Sequence, residues 1–123
     1  MVDILMYVPD LMFGTRIEEG ARHLGYTLES YHPAEEPGAC IGRLGPRLLI
    51  VALDAPAWES LVGQTQRAGV PILAFGSHRN VKAMKAAKEA GCTEVLARSR
   101  IAAELPNLLD KYLKDPARKP PVR

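Results

Sequence analysis

The feature that most constrains the fold of this chain of 123 residues is an uninterrupted apolar run, LLIVAL, at residues 48–53. Six apolar residues without polar alternation are typical of a β-strand that is buried on both faces. Such strands occur in parallel sheets with helices on both sides, so the run predicts an α/β fold. The segment DAP that follows, residues 54–56, is then expected in a loop at the carboxyl edge of the sheet, where open α/β proteins bind ligands.

Strand-like and helix-like segments alternate along the rest of the chain. The predicted strands are residues 3–8, 26–31, 47–53, 70–75 and 93–97. The predicted helices are residues 11–24, a short helix near 39–44, and residues 57–68, 79–90 and 102–114. Five β-α units of this kind imply right-handed crossovers and helices on both faces of the sheet. We therefore predict a flavodoxin-like fold with five parallel strands in the order 2-1-3-4-5.

Two residues within the predicted helices, a proline and a tryptophan, give more specific expectations. Pro106 has no amide hydrogen, so we expect it in the first turn of the last helix or at a bend in that helix. Trp58 begins the third helix, and we expect it to be a core residue that covers the sheet, rather than an exposed anchor for a partner.

The composition is that of an ordinary soluble globular protein, with 47% apolar and 24% charged residues. We assign residues 1–114 to one α/β domain and residues 115–123 to a disordered, Pro-rich basic tail. The net charge of +2 arises in residues 110–123, which hold five basic and two acidic residues. Because the rest of the chain is close to neutral, we expect no nucleic-acid-binding face.

The sequence also gives expectations about location. It contains no apolar stretch of the roughly 20 residues that a membrane span requires. Its first residues, MVD, lack the basic start of an export signal. We therefore expect a cytoplasmic protein that does not contact a membrane.

Cysteine, histidine and glycine patterns do not indicate a reactive centre. Cys40 and Cys92 lie far apart without metal-ligand spacing, and we expect free thiols. His23 and His32 likewise have no metal-ligand spacing to each other or to a cysteine. The sequence contains no dinucleotide-binding, P-loop or nucleophile-elbow motif. We therefore predict no catalytic residue, no cofactor and no metal site.

Several segments resemble the receiver domains of response regulators. The most specific is EAGCTEVLARS, residues 89–99, which is similar to the stretch that precedes the last helix of a receiver. GPRLLIVALDAP, residues 45–56, resembles the third strand and its following proline, and VPILAFGS, residues 70–77, the fourth strand. The resemblance covers about residues 3 to 113 and implies the same flavodoxin-like fold.

The resemblance also shows where the active-site residues of a receiver would stand. Val8 and Pro9 take the positions of the acids that bind magnesium, and Ala52 takes that of the phosphate-accepting aspartate. Gly76 stands in place of the hydroxyl residue, and Arg98 in place of the lysine. Phosphoryl transfer needs a nucleophilic carboxylate and a metal, which these side chains do not supply. The resemblance therefore implies a degenerate receiver, or pseudo-receiver, that cannot be phosphorylated.

Polar residues remain at the same predicted edge of the sheet. They are Asp10, Asp54, Ser77, His78 and Arg98. One interpretation is an anion site formed by Ser77, His78 and Arg98 with help from a helix N-terminus. The alternative is structural: Asp10 caps the first helix, Ser77 or Asn80 caps the fourth, and Arg98 pairs with an acid of the first or third loop.

Three functional hypotheses follow. The first is a receiver-like signalling module that binds another protein, of unknown identity, and forms a homodimer. In receivers the face of the fourth helix, fifth strand and fifth helix is the usual contact surface, and here it would hold Lys82, Lys85, Glu89, Val95 and Arg100. The second is a protein that binds a small ligand or anion at the carboxyl edge of the sheet. The third is an enzyme on this fold, which a buried carboxylate beside His78 would indicate.

Overall fold

A computed structural model describes residues 1–114 of the chain, so the predicted tail at residues 115–123 lies outside the described residues. Strands and helices alternate strictly over the described part. In chain order they are β1 (Ile4–Tyr7), α1 (Leu11–His23), β2 (Leu28–Ser30), α2 (Pro37–Leu44), β3 (Leu48–Ala52), α3 (Trp58–Arg67), β4 (Ile72–Gly76), α4 (Val81–Glu89), β5 (Glu94–Ala97) and α5 (Arg98–Leu113).

The five strands form one parallel sheet in the order β2-β1-β3-β4-β5, which confirms the predicted topology. β3 lies at the centre, and all five of its residues are buried, as its apolar sequence predicts. At its carboxyl end, Val51 lies beside Tyr7 of β1, and Ala52 lies beside Phe75 of β4. The tips of these three strands therefore meet at one edge of the sheet.

Two apolar layers hold the helices on the sheet. One layer joins the sheet to α1 and α5 through residues such as Phe13, Ile17 and Ile101. The other joins it to α2, α3 and α4, and includes Trp58, which is 6% exposed. The tryptophan is therefore a core residue, as expected.

The last helix begins earlier than the sequence predicts. α5 starts at Arg98, directly after β5, and not at residue 102. It is interrupted at Glu104, whose backbone angles are φ −118° and ψ 17°. This interruption places Pro106 at the start of a second helical segment, where its missing amide hydrogen costs no helical hydrogen bond. The predicted effect of Pro106 is correct, whereas the predicted helix start is wrong.

The second helix is also longer than expected. It begins at Pro37 instead of near residue 39. Pro37 occupies the first turn, where proline is favoured, and the Glu36 carboxylate accepts hydrogen bonds from the amides of Gly38 and Ala39. Glutamate is not a preferred capping residue, so the sequence pattern did not reveal this start.

The amino edge of the sheet is closed by a polar network around Arg47. Its guanidinium bonds to Asp3 at 3.0 Å and donates to the carbonyl oxygen of Leu113 at 2.5 Å. The other Asp3 oxygen accepts from the Thr27 amide at 2.9 Å. Burial raises the pKa of Asp3, but the hydrogen bonds from Thr27 and Arg47 outweigh it and leave this pKa below its usual value. The network fixes the end of α5 against β1 and β3.

The loop between β3 and α3 contains the one non-glycine residue with a positive φ among residues 1–114. This residue is Ala57, with φ 55° and ψ 35°, at the position that caps α3. No side chain caps this helix start. A left-handed backbone conformation costs an alanine about 1–2 kcal/mol because its Cβ approaches the next carbonyl oxygen.

We predict that Ala57→Gly stabilises the protein by about 1 kcal/mol, because the relief of Cβ strain exceeds the added backbone entropy of the unfolded chain. Urea unfolding followed by the fluorescence of Trp58, which is buried, measures this change. The matched control is Ala86→Gly on the exposed face of α4, which should lower the free energy of unfolding by about 1 kcal/mol. Equal destabilisation by both variants would contradict the assigned backbone strain.

Candidate functional site

The carboxyl ends of β1, β3, β4 and β5 place the predicted receiver positions at one edge of the sheet. Ala52 closes the tip of β3 and is 3% exposed. Val8 and Gly76 are half-buried, and Pro9 is exposed. The side chains at the ends of β1 and β3 therefore present methyl groups and a proline ring where a metal centre would need oxygen atoms.

A tyrosine at the end of β1 contacts the loop that follows β3. The Tyr7 hydroxyl donates a hydrogen bond to the carbonyl oxygen of Pro56 at 2.6 Å. The Tyr7 ring meets Tyr31 edge to face, with 5.0 Å between the ring centroids. Burial raises the pKa of Tyr7, so the hydroxyl stays protonated and remains a donor at neutral pH. This contact joins β1 to the loop after β3 without using a charged group.

The salt bridge of this edge lies to one side, between α1 and the junction of β5 with α5. The Arg98 guanidinium bonds to the Asp10 carboxylate and also lies over the Phe13 ring, with Cζ 4.3 Å from the ring centroid. Of the two acids considered as partners of Arg98, the structure therefore selects Asp10. The contact with Phe13 was not anticipated, because no sequence spacing relates residues so far apart.

Asp10 has a second role as the cap of α1. Its Oδ1 accepts a hydrogen bond from the Phe13 amide at 3.0 Å. This hydrogen bond, followed by the one from Arg98, holds the pKa of Asp10 below its usual value. Asp10 is therefore ionised at neutral pH, and its charge is shared between the helix start and the arginine.

The three residues predicted to bind an anion line one cleft. Ser77, His78 and Arg98 all face an open cleft of about 610 Å³. Ser77 Oγ also accepts from the Arg79 amide at 3.2 Å, while Asn80 caps α4 through the Ala83 amide. Of the two residues considered for the cap of α4, the structure selects Asn80. Ser77 and His78 are exposed, and the charge of Arg98 is partly neutralised by Asp10.

Apolar groups form much of the remaining wall of this cleft. Its complete lining is Asp10, Met12, Phe13, Arg16, Ser77, His78, Ala97, Arg98, Ser99 and Ala102. No sequence pattern indicates a role at this edge for Met12, Phe13 or Arg16. Their helical spacing on α1 indicates only that they share one end of the helix, and their proximity to β5 depends on the fold.

The other histidine, cysteine and acidic side chains within residues 1–114 do not form a reactive centre. No group of three or more His, Cys, Asp or Glu side chains in that range is arranged to hold a metal ion. Cys40 and Cys92 are free thiols, and burial raises the pKa of Cys92 to about 11. His78 is exposed, and no carboxylate in that range is buried. Within residues 1–114, every helix is too short or too polar to span a bilayer.

The predicted contact face combines exposed charges with a partly covered strand. Lys82, Lys85 and Glu89 are exposed on α4, and Val95 of β5 is half-buried against the core. Arg100 lies in the first turn of α5, where it pairs with Glu104 at 3.1 Å. The face therefore has a charged rim around a small apolar centre.

We compared the chain with known protein families, curated proteins and solved structures. No protein-family model matches the sequence, and no curated protein is similar to it. Solved structures do match. They include the receiver domain of the sensor histidine kinase PA1611 from Pseudomonas aeruginosa, which has magnesium in its active-site cleft (TM-score 0.77, 20% identity, 93% of this chain and 98% of that chain).

Two further structures have the same fold. The receiver domain of NtrX from Brucella abortus matches with a TM-score of 0.76 and 17% identity over 91% of this chain and 98% of that chain. The receiver domain of RstA from Klebsiella pneumoniae matches with a TM-score of 0.72 and 18% identity over 92% of this chain and 99% of that chain. A longer NtrX chain is matched over 27% of its length. Identities this low relate the folds alone, and the chain has the fold of a response-regulator receiver domain.

Proposed function

We propose that this protein is a non-phosphorylatable receiver-like signalling module that acts by binding another protein. The observation that carries the proposal is the buried Ala52 at the tip of β3, where a receiver would have its phosphate-accepting aspartate. An alanine methyl group cannot attack a phosphoryl donor, and the neighbouring Val8 and Pro9 offer no side-chain oxygen to a metal.

The remaining acids of this edge do not replace the missing centre. Asp10 is engaged by Arg98 and by the start of α1, and Asp54 is an exposed residue of the loop after β3. A guanidinium beside Asp10 opposes the approach of a divalent cation. A module without a phosphorylation site acts through contacts with other proteins. We assign these contacts to the face of α4, β5 and α5.

A second candidate function is the binding of a small anion in the cleft that Ser77, His78 and Arg98 share. The observation that favours it is their common position around one open cleft. The salt bridge from Arg98 to Asp10 weighs against it, because an incoming anion must compete with a carboxylate that is already bound. Titration with inorganic phosphate distinguishes this candidate from the first.

The protein should not accept a phosphoryl group. Incubation with acetyl phosphate and magnesium should leave the intact mass unchanged, because no carboxylate stands at the tip of β3. A phosphorylatable receiver domain treated in parallel provides the positive control. An added phosphoryl group that disappears in Asp54→Asn or Asp10→Asn would contradict the proposal.

Magnesium should bind at this edge only weakly or not at all. We expect no saturable change in the amide shifts of the first and third loops below about 1 mM magnesium, the range of weak divalent sites. The reason is that Asp10 is already bound by Arg98, whose guanidinium repels an approaching cation. A saturable shift at both loops below that concentration would refute the prediction.

The protein should form a homodimer through the face of α4, β5 and α5. A two-fold axis there would place Lys82 and Lys85 against Glu104 of the other copy, with Ala83 and Val95 as apolar contacts. Sedimentation equilibrium from micromolar to hundred-micromolar concentration measures the association. Charge reversal of Lys85 and Glu89 together should alter it.

The matched control for this experiment is Arg67→Glu, which changes an exposed charge at the end of α3, on the side of that helix that faces α2. It should leave the association unchanged. A monomer at the highest concentration, or a dimer that tolerates the double charge reversal, would exclude this interface.

A further inference from the structure

The cleft between α1 and the junction of β5 and α5 extends past the three residues predicted to bind an anion, along Met12, Arg16 and Ala102. A smaller depression of about 70 Å³ adjoins it, lined by Phe13, Arg16, Ile17, Ile101, Ala102 and Leu105. Phe13, Arg16 and Ala102 line both spaces, so the two form one groove that runs along the contact of α1 with α5. An elongated groove of this kind suits an extended peptide better than a compact ligand.

Apolar side chains are exposed beside this groove. Leu11 and Met12, in the first turn of α1, are 82% and 81% exposed. Val81, the first residue of α4 at the same edge of the sheet, is 69% exposed. Met12 lines the groove and Leu11 is its neighbour in the chain, and exposed apolar groups at a groove are typical of surfaces that bind a partner. The Phe13 ring, fixed against Phe75 at a centroid distance of 5.2 Å, provides a rigid wall for such a contact.

The charge of the groove indicates the chemistry of that partner. Arg16 belongs to no salt bridge among residues 1–114, and Arg98 has Asp10 as its one acidic contact there. Arg16, Arg98 and Asp10 together leave the groove with a net positive charge. Arg79 lies exposed in the adjacent loop before α4 and adds to the positive potential of the rim. Complementarity therefore favours an acidic ligand.

We propose that this groove binds an acidic peptide segment of a partner protein. An apolar side chain of the segment packs between Met12 and Phe13, and its carboxylates face Arg16 and Arg98. The inference rests on the proposed function in one respect, since it requires an edge that holds neither magnesium nor a phosphoryl group. The surface differs from the predicted dimer face.

The tail of the chain itself does not fit this role. α5 ends at Leu113, whose carbonyl is bound by Arg47 at the opposite edge of the sheet. Residues 115–123 contain three basic residues and one acidic residue, so their charge has the wrong sign for the groove. Residues 115–123 therefore do not supply the acidic segment.

The test is an NMR titration of the full chain with a short capped peptide in which acidic residues flank a central leucine-phenylalanine pair. A matched peptide with lysine in place of every acid is the control probe. We expect saturable shifts at the amides of Met12, Phe13, Ser99 and Ala102 with the acidic peptide. The lysine peptide should leave them unchanged, and added salt should weaken the binding.

Two substitutions at the groove measure the separate contributions of charge and apolar contact. Arg16→Glu should weaken binding of the acidic peptide by about tenfold or more, because it reverses a charge at the rim. Met12→Ser should also weaken it, and because this side chain is 81% exposed, the fold should be unaffected. Arg67→Glu, with the same charge change on α3, should leave the affinity unchanged.

Each of the following results would overturn the proposal: no saturable shift with the acidic peptide up to about 1 mM, the limit of weak specific binding; equal binding of both peptides; or shifts confined to another surface. Saturation of the same amides by inorganic phosphate alone would assign the cleft to a small anion and also overturn it. A change of oligomeric state in Arg16→Glu would identify a second copy as the occupant. Phosphoryl transfer is detected by intact mass and peptide binding by amide shifts, so failure of the proposed function and failure of this inference are distinguishable.

Discussion

Burial of β3 on both faces is the constraint on which the rest of this structure depends. Each fully buried Leu or Ile side chain of this strand contributes about 1.5–3 kcal/mol relative to an exposed one. That gain requires a neighbouring strand on each side and a helix layer above and below, which β1, β4 and the two helix layers supply. Because all five strands are parallel, their carboxyl ends lie at one edge. The location of the candidate site is thus a consequence of core packing.

The same edge shows how a receiver fold is completed without a charged centre. Methyl groups, a proline and the hydrogen bond from Tyr7 to Pro56 occupy the tips of β1 and β3. The charges lie beside the centre, where Arg98 contacts Asp10 and Phe13. An exposed ion pair contributes little to folding stability, so its main effect is to orient the guanidinium along the wall of the groove. Positive charge and exposed apolar groups on α1 then favour contact with protein rather than reaction chemistry.

Local sequence signals predicted most of the fold because they reflect local physics. The apolar β3 segment, the Asp10 cap and the glycines after α1 and α4 each specify one element or boundary. Gly25 and Gly91 adopt φ values of 89° and 96°, which other residues rarely tolerate. The starts of α2 and α5 were not predicted, because neither has a capping residue of the usual type. Glu36 is an unusual cap, and the beginning of α5 is fixed by the end of β5 and not by a capping residue.

The sequence by itself determined the parallel sheet and its strand order, since these follow from residue type and spacing along the chain. It also showed that Val8, Pro9 and Ala52 stand where a receiver has acidic residues. Only the tertiary structure decided which acid pairs with Arg98, that Phe13 lies beneath it, and that Arg16 and Met12 border one groove. These contacts join α1 to β5 and α5, which are separated by most of the chain. Their distances depend on how helices pack across the sheet, a three-dimensional property that no local pattern records.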